Sequence, residues 1–111
     1  MGNFVIKRGT TGEYYFNLIA DNSQIILTSQ LYSSKSSCFK EIDLVRNCCS
    51  YDSYERKQTE DNKHYFVLKA SDGQIIGTSE MYSSKAAMEK GIESVKENGI
   101  NTKVIEEEPY F

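Results

Sequence analysis

The segment YYFNLIADNSQIILTSQLYSSK, residues 14–35, returns as HYFVLKASDGQIIGTSEMYSSK, residues 64–85, and this repetition decides the fold. With a shift of 50 residues, 16 of the 34 pairs between residues 14–47 and 64–97 are identical, without a gap. Such self-similarity is typical of a protein built from one repeated supersecondary unit. The sequence therefore predicts two internal repeats, about residues 1–50 and 51–108, within a single domain spanning residues 1–111.

Each copy of this segment predicts a β-hairpin. In the first copy, Phe16 and Leu18 alternate with Tyr15 and Asn17, which is the period of a strand with one buried face. A polar break follows at residues 21–23 and again at residues 71–73, where Asn, Asp, Ser and Gly favour a tight turn. The β-branched residues of the next segments, 24–30 and 74–80, predict the second arm. The copies differ here, with Ser23 and Leu27 in place of Gly73 and Gly77, so the geometry of the first turn stays open.

After each hairpin, the hydrophobic period changes from that of a strand to that of a helix. The apolar residues stand at i, i+4 and i+7 in both copies: Cys38, Ile42, Val45 and Met88, Ile92, Val95. The serines that can cap these helices precede them: Ser33, Ser34, Ser83 and Ser84. Asn98 and Gly99 predict the end of the second helix. Residues 4–8 and 54–58 predict short opening strands, and residues 102–107 predict a final strand.

The repeat unit is therefore β-β-β-α-β, and residues 54–57 close the first copy and open the second. One copy of about 50 residues buries too little apolar surface to be comfortably stable alone. We predict an α+β pseudo-dimer in which the two repeats share one continuous sheet, with both helices on one face.

The doubled pattern YFxLxAxxxQIIxTSxxYSSK, followed by a helix, resembles the YegP-like family of small bacterial proteins with tandem repeats. The resemblance covers almost the whole chain. It implies an α+β fold in which two repeats form a single antiparallel sheet with exchanged C-terminal strands. It implies no function, because that family is itself uncharacterised.

Composition and charge exclude several classes of function. The chain has 13 basic and 16 acidic residues and a net charge of −3, so no general attraction draws it to nucleic acid or to an anionic membrane. No apolar run approaches the roughly 18 residues of a membrane span, and residues 1–4 do not begin an export signal. We expect a soluble, cytoplasmic monomer with internal two-fold pseudo-symmetry and no membrane partner.

The cysteines predict neither a disulfide framework nor a metal site. Their number is odd, and the adjacent pair lacks the spacing of zinc ligands. The second copy has Met88, Asn98 and Gly99 where the first has Cys38, Cys48 and Cys49. We interpret Cys38 as a core residue and the other two as incidental thiols after the helix.

Catalytic motifs are also missing from the pattern. His64, the single histidine, stands where Tyr14 stands in the first copy, and we interpret it as a strand-end residue. Ser34 directly precedes Lys35, whereas a serine–lysine catalytic motif needs two residues between them. The sequence therefore predicts no enzyme and no cofactor.

The repeated segment Tyr-Ser-Ser-Lys is the best candidate for a binding site. It consists of Tyr32, Ser33, Ser34, Lys35 and, in the second copy, Tyr82, Ser83, Ser84, Lys85. A helix start offers free amides and a partial positive charge, to which this segment adds hydroxyl groups and an ammonium group. Capping accounts for one serine in each copy but requires neither the tyrosine nor the lysine. The sequence predicts two related weak sites for a phosphate or a carboxylate.

Two other surfaces are alternatives. Tyr15 and Tyr65 point away from the core, near basic residues such as Lys69, and such a face can stack bases or dock a peptide. The acidic and aromatic tail, residues 106–111, can serve as a docking peptide. We predict a small non-enzymatic module that binds an anion or a protein partner. Nucleic-acid binding through the open sheet face and an atypical enzyme are the alternatives.

Overall fold

The computed structural model describes residues 2–20, 23–47, 54–70, 73–99 and 103–106. In chain order its elements are β1 (Asn3–Arg8), β2 (Tyr14–Ile19), β3 (Ile25–Ser29), α1 (Lys35–Asn47), β4 (Tyr54–Gln58), β5 (His64–Lys69), β6 (Ile75–Thr78), α2 (Lys85–Gly99) and β7 (Lys103–Glu106). The order of three strands and a helix occurs twice, and a final strand follows the second helix, as predicted.

The seven strands form one sheet in the order β4-β5-β6-β3-β2-β1-β7. The two repeats meet at its centre, where β3 pairs with β6 and Thr28 lies opposite Thr78. Both helices pack on the same side, since each contacts β2 and they also contact each other. The predicted α+β fold with two repeats in one sheet is confirmed.

The sheet is antiparallel except at one pair of strands. β7 follows the helix of the second repeat but lies parallel to β1 of the first repeat, with Phe4 opposite Val104 and Ile6 opposite Glu106. This is the exchanged C-terminal strand that the family resemblance implies. Its direction differs from the prediction because no short turn joins β1 to β7, and only a hairpin connection forces antiparallel pairing.

The position of β4 corrects the prediction that residues 54–57 join the two repeats. In the described part of the sheet β4 stands at one edge and pairs with β5, from Tyr54 opposite Leu68 to Gln58 opposite His64. β4 thus opens the second repeat as β1 opens the first. The sequence of a strand indicates which of its faces is buried, but not which strand lies beside it.

The helical stripes and the inner face of the sheet form one hydrophobic core. Six helical residues predicted for it are buried: Cys38, Ile42, Val45, Met88, Ile92 and Val95. Aromatic rings fill the centre of each half. Phe4 meets Phe16 edge-on at 5.8 Å between ring centroids, and Tyr54 meets Phe66 in the same way at 5.6 Å. The core geometry of the two repeats is therefore closely matched.

Strict alternation fails at the second arm of each hairpin. The pairing of β2 with β3 shifts register after Leu18, and the pairing of β5 with β6 shifts after Leu68. Such a bulge turns two successive residues toward one face, and both Ile26 and Leu27 are buried in the core. Asn17 is also buried, although the sequence places it outward, and its Oδ1 accepts a hydrogen bond from Thr28 Oγ1 at 2.9 Å.

The two hairpin turns match at the residues that the structure describes. Ser23 has φ 67° and its counterpart Gly73 has φ 85°, both in the left-handed region. Their amides bond to the carbonyls of Ala20 and Ala70 at the same distance, 2.9 Å. At this position the first turn therefore has the conformation of the second, with a serine where glycine is favoured.

Candidate anion-binding site

The repeated Tyr-Ser-Ser-Lys segment leads from the sheet into the helix in both halves. The backbone of Tyr32 exchanges two hydrogen bonds of 2.7 Å with Tyr14, at the start of β2. Tyr82 makes the same pair of bonds with His64, at 2.7 and 2.8 Å. The segment is therefore tied to the first residue of the hairpin, which fixes where each helix begins.

One serine of each segment caps its helix, as predicted. Ser34 Oγ accepts a hydrogen bond from the Ser37 amide at 3.2 Å, and Ser84 Oγ accepts one from the Ala87 amide at 3.1 Å. A hydroxyl oxygen bonded to the amide three residues ahead satisfies one of the free donors of the first turn. Capping explains these two serines, whereas Ser33 and Ser83 remain exposed.

The two tyrosines of these segments contribute to the packing of each half. Both are partly buried against the core. Burial is the main cause that raises the pKa of Tyr32 to about 12, with a further contribution from nearby Glu41. Burial also raises the pKa of Tyr82, whose ring lies over Gly91 so closely that its Cζ is 2.7 Å from the point where a Cβ would stand. Both hydroxyls therefore stay protonated at neutral pH.

In the first repeat, the lysine of the segment already has an anionic partner. Lys35 Nζ lies 3.5 Å from Glu106 Oε1, at the end of β7. The same ammonium stands 6.0 Å from the centre of the Tyr14 ring. The carboxylate of Glu106 thus pairs with the lysine that the sequence assigned to an external anion.

In the second repeat, the corresponding lysine lies in a different environment. Lys85 is exposed and has no ion pair within the described residues. It borders a shallow cleft of about 190 Å³ at the β4 edge. The cleft is lined by Arg56, Lys57, Gln58, His64, Lys85 and Met88. Three of these side chains are cationic at neutral pH, and none is acidic.

Arg56 is fixed in this cleft by the second helix. Its Nη2 donates to Glu89 Oε1 at 2.9 Å, and its Nε donates to the other carboxylate oxygen. The first repeat has the apolar residues Ile6 and Phe39 at the corresponding places, so this ion pair is particular to the second repeat. Lys57 lies 3.5 Å from Glu55, in an exposed pair that is weak in water. Lys85 is thus the cation of the cleft with most freedom to bind.

The cysteines were the remaining candidates for a reactive or metal-binding site. Cys38 is fully buried, and burial raises the pKa of its thiol to about 11, which leaves it unreactive at neutral pH. Cys48 and Cys49 lie outside the described residues. No group of three or more histidine, cysteine or acidic side chains suited to a metal ion occurs within the described residues.

The open face of the sheet is less basic than the sequence indicates. Glu55 pairs with Lys69 as well as with Lys57, and the hydrogen bond from Lys69 is the main cause that lowers the pKa of Glu55. Tyr15 and Tyr65 are only partly exposed. Glu55 offsets one of these two lysine charges, so the pairing reduces the basic character on which the nucleic-acid alternative depends but does not remove it.

A larger cleft, of about 530 Å³, lies between the first hairpin turn and the segment before α2. It is lined by Ser23, Gln24, Ile25, Ile26, Glu80, Met81 and Tyr82. Met81 is 50% exposed there, and its counterpart Leu31 is 57% exposed in the first repeat.

The described helices include none long and apolar enough to cross a membrane.

The sequence pattern did not reveal the role of a second pair of repeated serines. Ser29 Oγ accepts a hydrogen bond from the Phe16 amide at 2.8 Å and donates to the Gln30 carbonyl at 2.8 Å. Ser79 makes the same two bonds, at 3.0 and 2.8 Å, with Phe66 and Glu80. The Thr-Ser pair recurs in both copies, and this recurrence could have indicated the role of the serines. Each serine links the two arms of its hairpin by hydrogen bonds.

Comparison with known proteins finds the same repeat elsewhere. Residues 10–55 and 60–106 each match the profile of DUF1508, a domain of unknown function. The chain is 45% identical over 105 residues to the UPF0339 protein YegP of Yersinia pestis, with 94% of each chain covered. It is 42% identical over 106 residues to a UPF0339 protein of the ptx operon 5′ region in Stutzerimonas stutzeri, covering 95% of this chain and 96% of that one.

Two structures solved by NMR in solution have the same fold. The YegP protein of Escherichia coli, described as a protein of unknown function, matches with a TM-score of 0.92 and 40% identity, covering 99% of this chain and 96% of that one. A UPF0339 protein of Shewanella oneidensis matches with a TM-score of 0.89 and 40% identity, covering 95% and 90%.

Proposed function

The chain belongs to the DUF1508 family of uncharacterised UPF0339 proteins, and from its second repeat we propose that it is a non-enzymatic binding module for an anionic ligand. The ligand group is a carboxylate or a phosphate. It binds Lys85 in the cleft at the β4 edge. At the equivalent Lys35 the chain itself supplies a carboxylate, that of Glu106, in a partly exposed pair.

One observation supports this proposal above the others. The same lysine stands at the start of both helices, and in the first repeat it lies 3.5 Å from a carboxylate oxygen of Glu106. That pair is an internal example of the complex that we assign to the second repeat. Around Lys85, the cleft offers Arg56 and Lys57 in addition.

The chemistry of the cleft favours binding over catalysis. Its lining has three cations and no acidic side chain, although Arg56 and Lys57 already pair with Glu89 and Glu55 beside the cleft. A Kd of about 1 mM corresponds to about 4 kcal/mol, whereas one exposed ion pair contributes only about 0–1 kcal/mol, so a small anion that contacts Lys85 alone binds more weakly than 1 mM. A ligand that uses several cations at once gains affinity without any new kind of contact.

Titration of the ¹⁵N-labelled full chain with phosphate and with acetate, at constant ionic strength, tests the proposal. We expect amide shifts at residues 84–86 and 56–58, and their loss in Lys85→Gln. Lys35→Gln is the matched control and leaves them unchanged. Glu106→Gln sharpens the test, because it frees Lys35 and produces a second response at residues 34–36. Unaltered shifts in Lys85→Gln contradict the proposal.

A further inference from the structure

The pseudo-symmetry of the sheet identifies the kind of ligand that fits the Lys85 cleft. We propose that this ligand is an acidic, extended peptide segment of another protein, an inference that rests on the proposed function. It adds to the sheet as a strand parallel to β4 and places a carboxylate at Lys85.

The first step is the equivalence of the two opening strands. A shift of 50 residues places Tyr54 on Phe4, and both are buried, with 4% and 0% exposure. Both rings meet the phenylalanine of the neighbouring strand edge-on, at 5.6 and 5.8 Å. β4 therefore lies against its hairpin as β1 lies against the first hairpin.

The second step is that one of these two strands already carries the complex. β1 has β2 on one side and β7, in parallel, on the other, and β7 brings Glu106 beside Lys35. β4 has β5 on one side and is the edge of the sheet among the described strands. An edge strand can pair with a further strand through backbone donors and acceptors. In β4 the Tyr54 carbonyl already accepts a hydrogen bond from Arg56 Nη1 at 3.4 Å, so an added strand would share or replace that contact.

The third step is charge. In the register of β1 with β7, the residue of an added strand opposite Arg56 corresponds to Glu106, and the next residue lies opposite Lys57. Arg56 is already bonded to Glu89, so Lys85 is the partner of the first acid and Lys57 the neighbour of the second. The residue two places before the first acid corresponds to Val104, which packs against the core. The matching segment therefore has an apolar residue, a spacer and consecutive acidic residues.

The last step concerns which chain supplies this segment. The sequence of β7 and the residues after it, VIEEE at 104–108, has this pattern. In its own molecule β7 lies at the opposite edge, six strand spacings or about 29 Å away. In a second copy, Glu106 is paired with Lys35 and β7 with β1, so both interactions would have to break. The observations therefore favour a segment of a different protein.

A synthetic peptide with the sequence of residues 102–111, TKVIEEEPYF, is the probe, added to the ¹⁵N-labelled full chain. We expect amide shifts and slower hydrogen exchange at residues 54–58, together with shifts at residues 85–86. The peptide TKVIQQQPYF keeps the strand but removes the charges, and we expect it to bind about fivefold more weakly or worse. The Lys85→Gln substitution should weaken the binding of the parent peptide but leave the binding of TKVIQQQPYF unchanged.

A third peptide separates strand addition from simple charge attraction. In TKPPEEEPYF, two prolines remove backbone donors and prevent regular strand pairing while the charges remain. We expect it to give no exchange protection at residues 54–58. If it protects them as well as the parent does, the strand proposal is wrong, while a response to acetate and phosphate at Lys85 leaves the proposed function intact.

Two other outcomes overturn the inference. Shifts at residues 3–8 in place of residues 54–58 would mean that the peptide replaces β7 beside β1. Changes at residues 54–58 that grow with protein concentration, without peptide, would assign the edge to a second copy. The absence of any response, to peptide and to small anions alike, would reject both this inference and the proposed function.

Discussion

The two repeats share a backbone but differ where each meets its neighbours. At the outer edges, β1 is covered by β7 whereas β4 borders a cationic cleft. At the centre, Leu27 of the first repeat faces the small residue Gly77 of the second. The repeats are alike in the aromatic rings and helical stripe that fill each half of the core. The comparison teaches that the core of the unit is the same in both copies, while the centre of the sheet, its outer edges and single contacts with the helix differ.

The difference between the two repeats is clearest at the centre of the sheet. Leu27 is fully buried, and its Cγ is 3.1 Å from the point where a Cβ on Gly77 would stand. The carbonyl oxygen of Thr28 is closer still, at 2.9 Å from that point. One leucine and one glycine fill a space that two leucines would overfill and two glycines would leave partly empty.

Exchanging these two residues is expected to have the largest effect. Leu27→Gly opens a cavity and should lower the free energy of unfolding by about 3–5 kcal/mol. Gly77→Leu overpacks the same space and should cost about 3 kcal/mol. The double exchange relieves the collision between the side chains, so its cost should be at least about 1 kcal/mol smaller than the sum. Urea unfolding monitored by circular dichroism measures all three.

Recovery in the double exchange should be partial, because the Thr28 carbonyl still crowds any side chain at residue 77. Leu27→Gly combined with Gly91→Ala is the control, and those two costs should add. Simple additivity of the Leu27 and Gly77 changes would contradict the shared packing of the two repeats.

A smaller effect is expected where Tyr82 crosses α2. The first repeat has Glu41 at the place of Gly91, so one helix tolerates a side chain where the other does not. Gly91→Ala brings a Cβ against the Tyr82 ring and should cost about 1–2 kcal/mol, although alanine favours a helix more than glycine does. Glu41→Ala, the matched change, brings no new side chain against Tyr32 and should cost less than Gly91→Ala. Thermal unfolding compares them, and a stabilised Gly91→Ala protein would refute this difference between the repeats.

The smallest effect is expected at the hairpin turns. Ser23→Gly should raise the free energy of unfolding by about 1 kcal/mol, because it relieves a left-handed conformation. Gly73→Ser should lower it by a similar amount, through the backbone alone, since no atom lies within 4 Å of a Cβ placed there. Denaturant midpoints of the two variants give the comparison. Changes of the same sign in both would mean that the turns are not equivalent.

Much of this architecture follows from the sequence, because it is local. Three of its features depend only on neighbouring residues and on the periods of helix and strand. They are the alternation of Phe16 and Leu18, the helical stripe of Ile42 and Val45, and the capping serines. The bulges were missed because they arise from the pairing of two strands. The repeat at 50 residues strengthens these predictions, because each pattern occurs in two copies.

The candidate site could be predicted only in part. The sequence identifies the two lysines but treats them as equal, because Lys35 and Lys85 lie in identical segments. Their difference comes from β7, which joins β1 at the far edge of the sheet, and nothing in the sequence of Lys103–Glu106 specifies that destination. Long-range pairing therefore decides which copy of the motif keeps its lysine available.

The pairing of β1 with β7 also affects the order of folding. Asn3 and Lys103 are paired across 100 residues of chain, so this contact closes a very long loop and gains its stabilisation late. Each hairpin, by contrast, can form from adjacent segments. Until β7 docks, Lys35 lacks Glu106 and resembles Lys85. We therefore expect the asymmetry between the two halves to be among the last features that a refolding chain acquires.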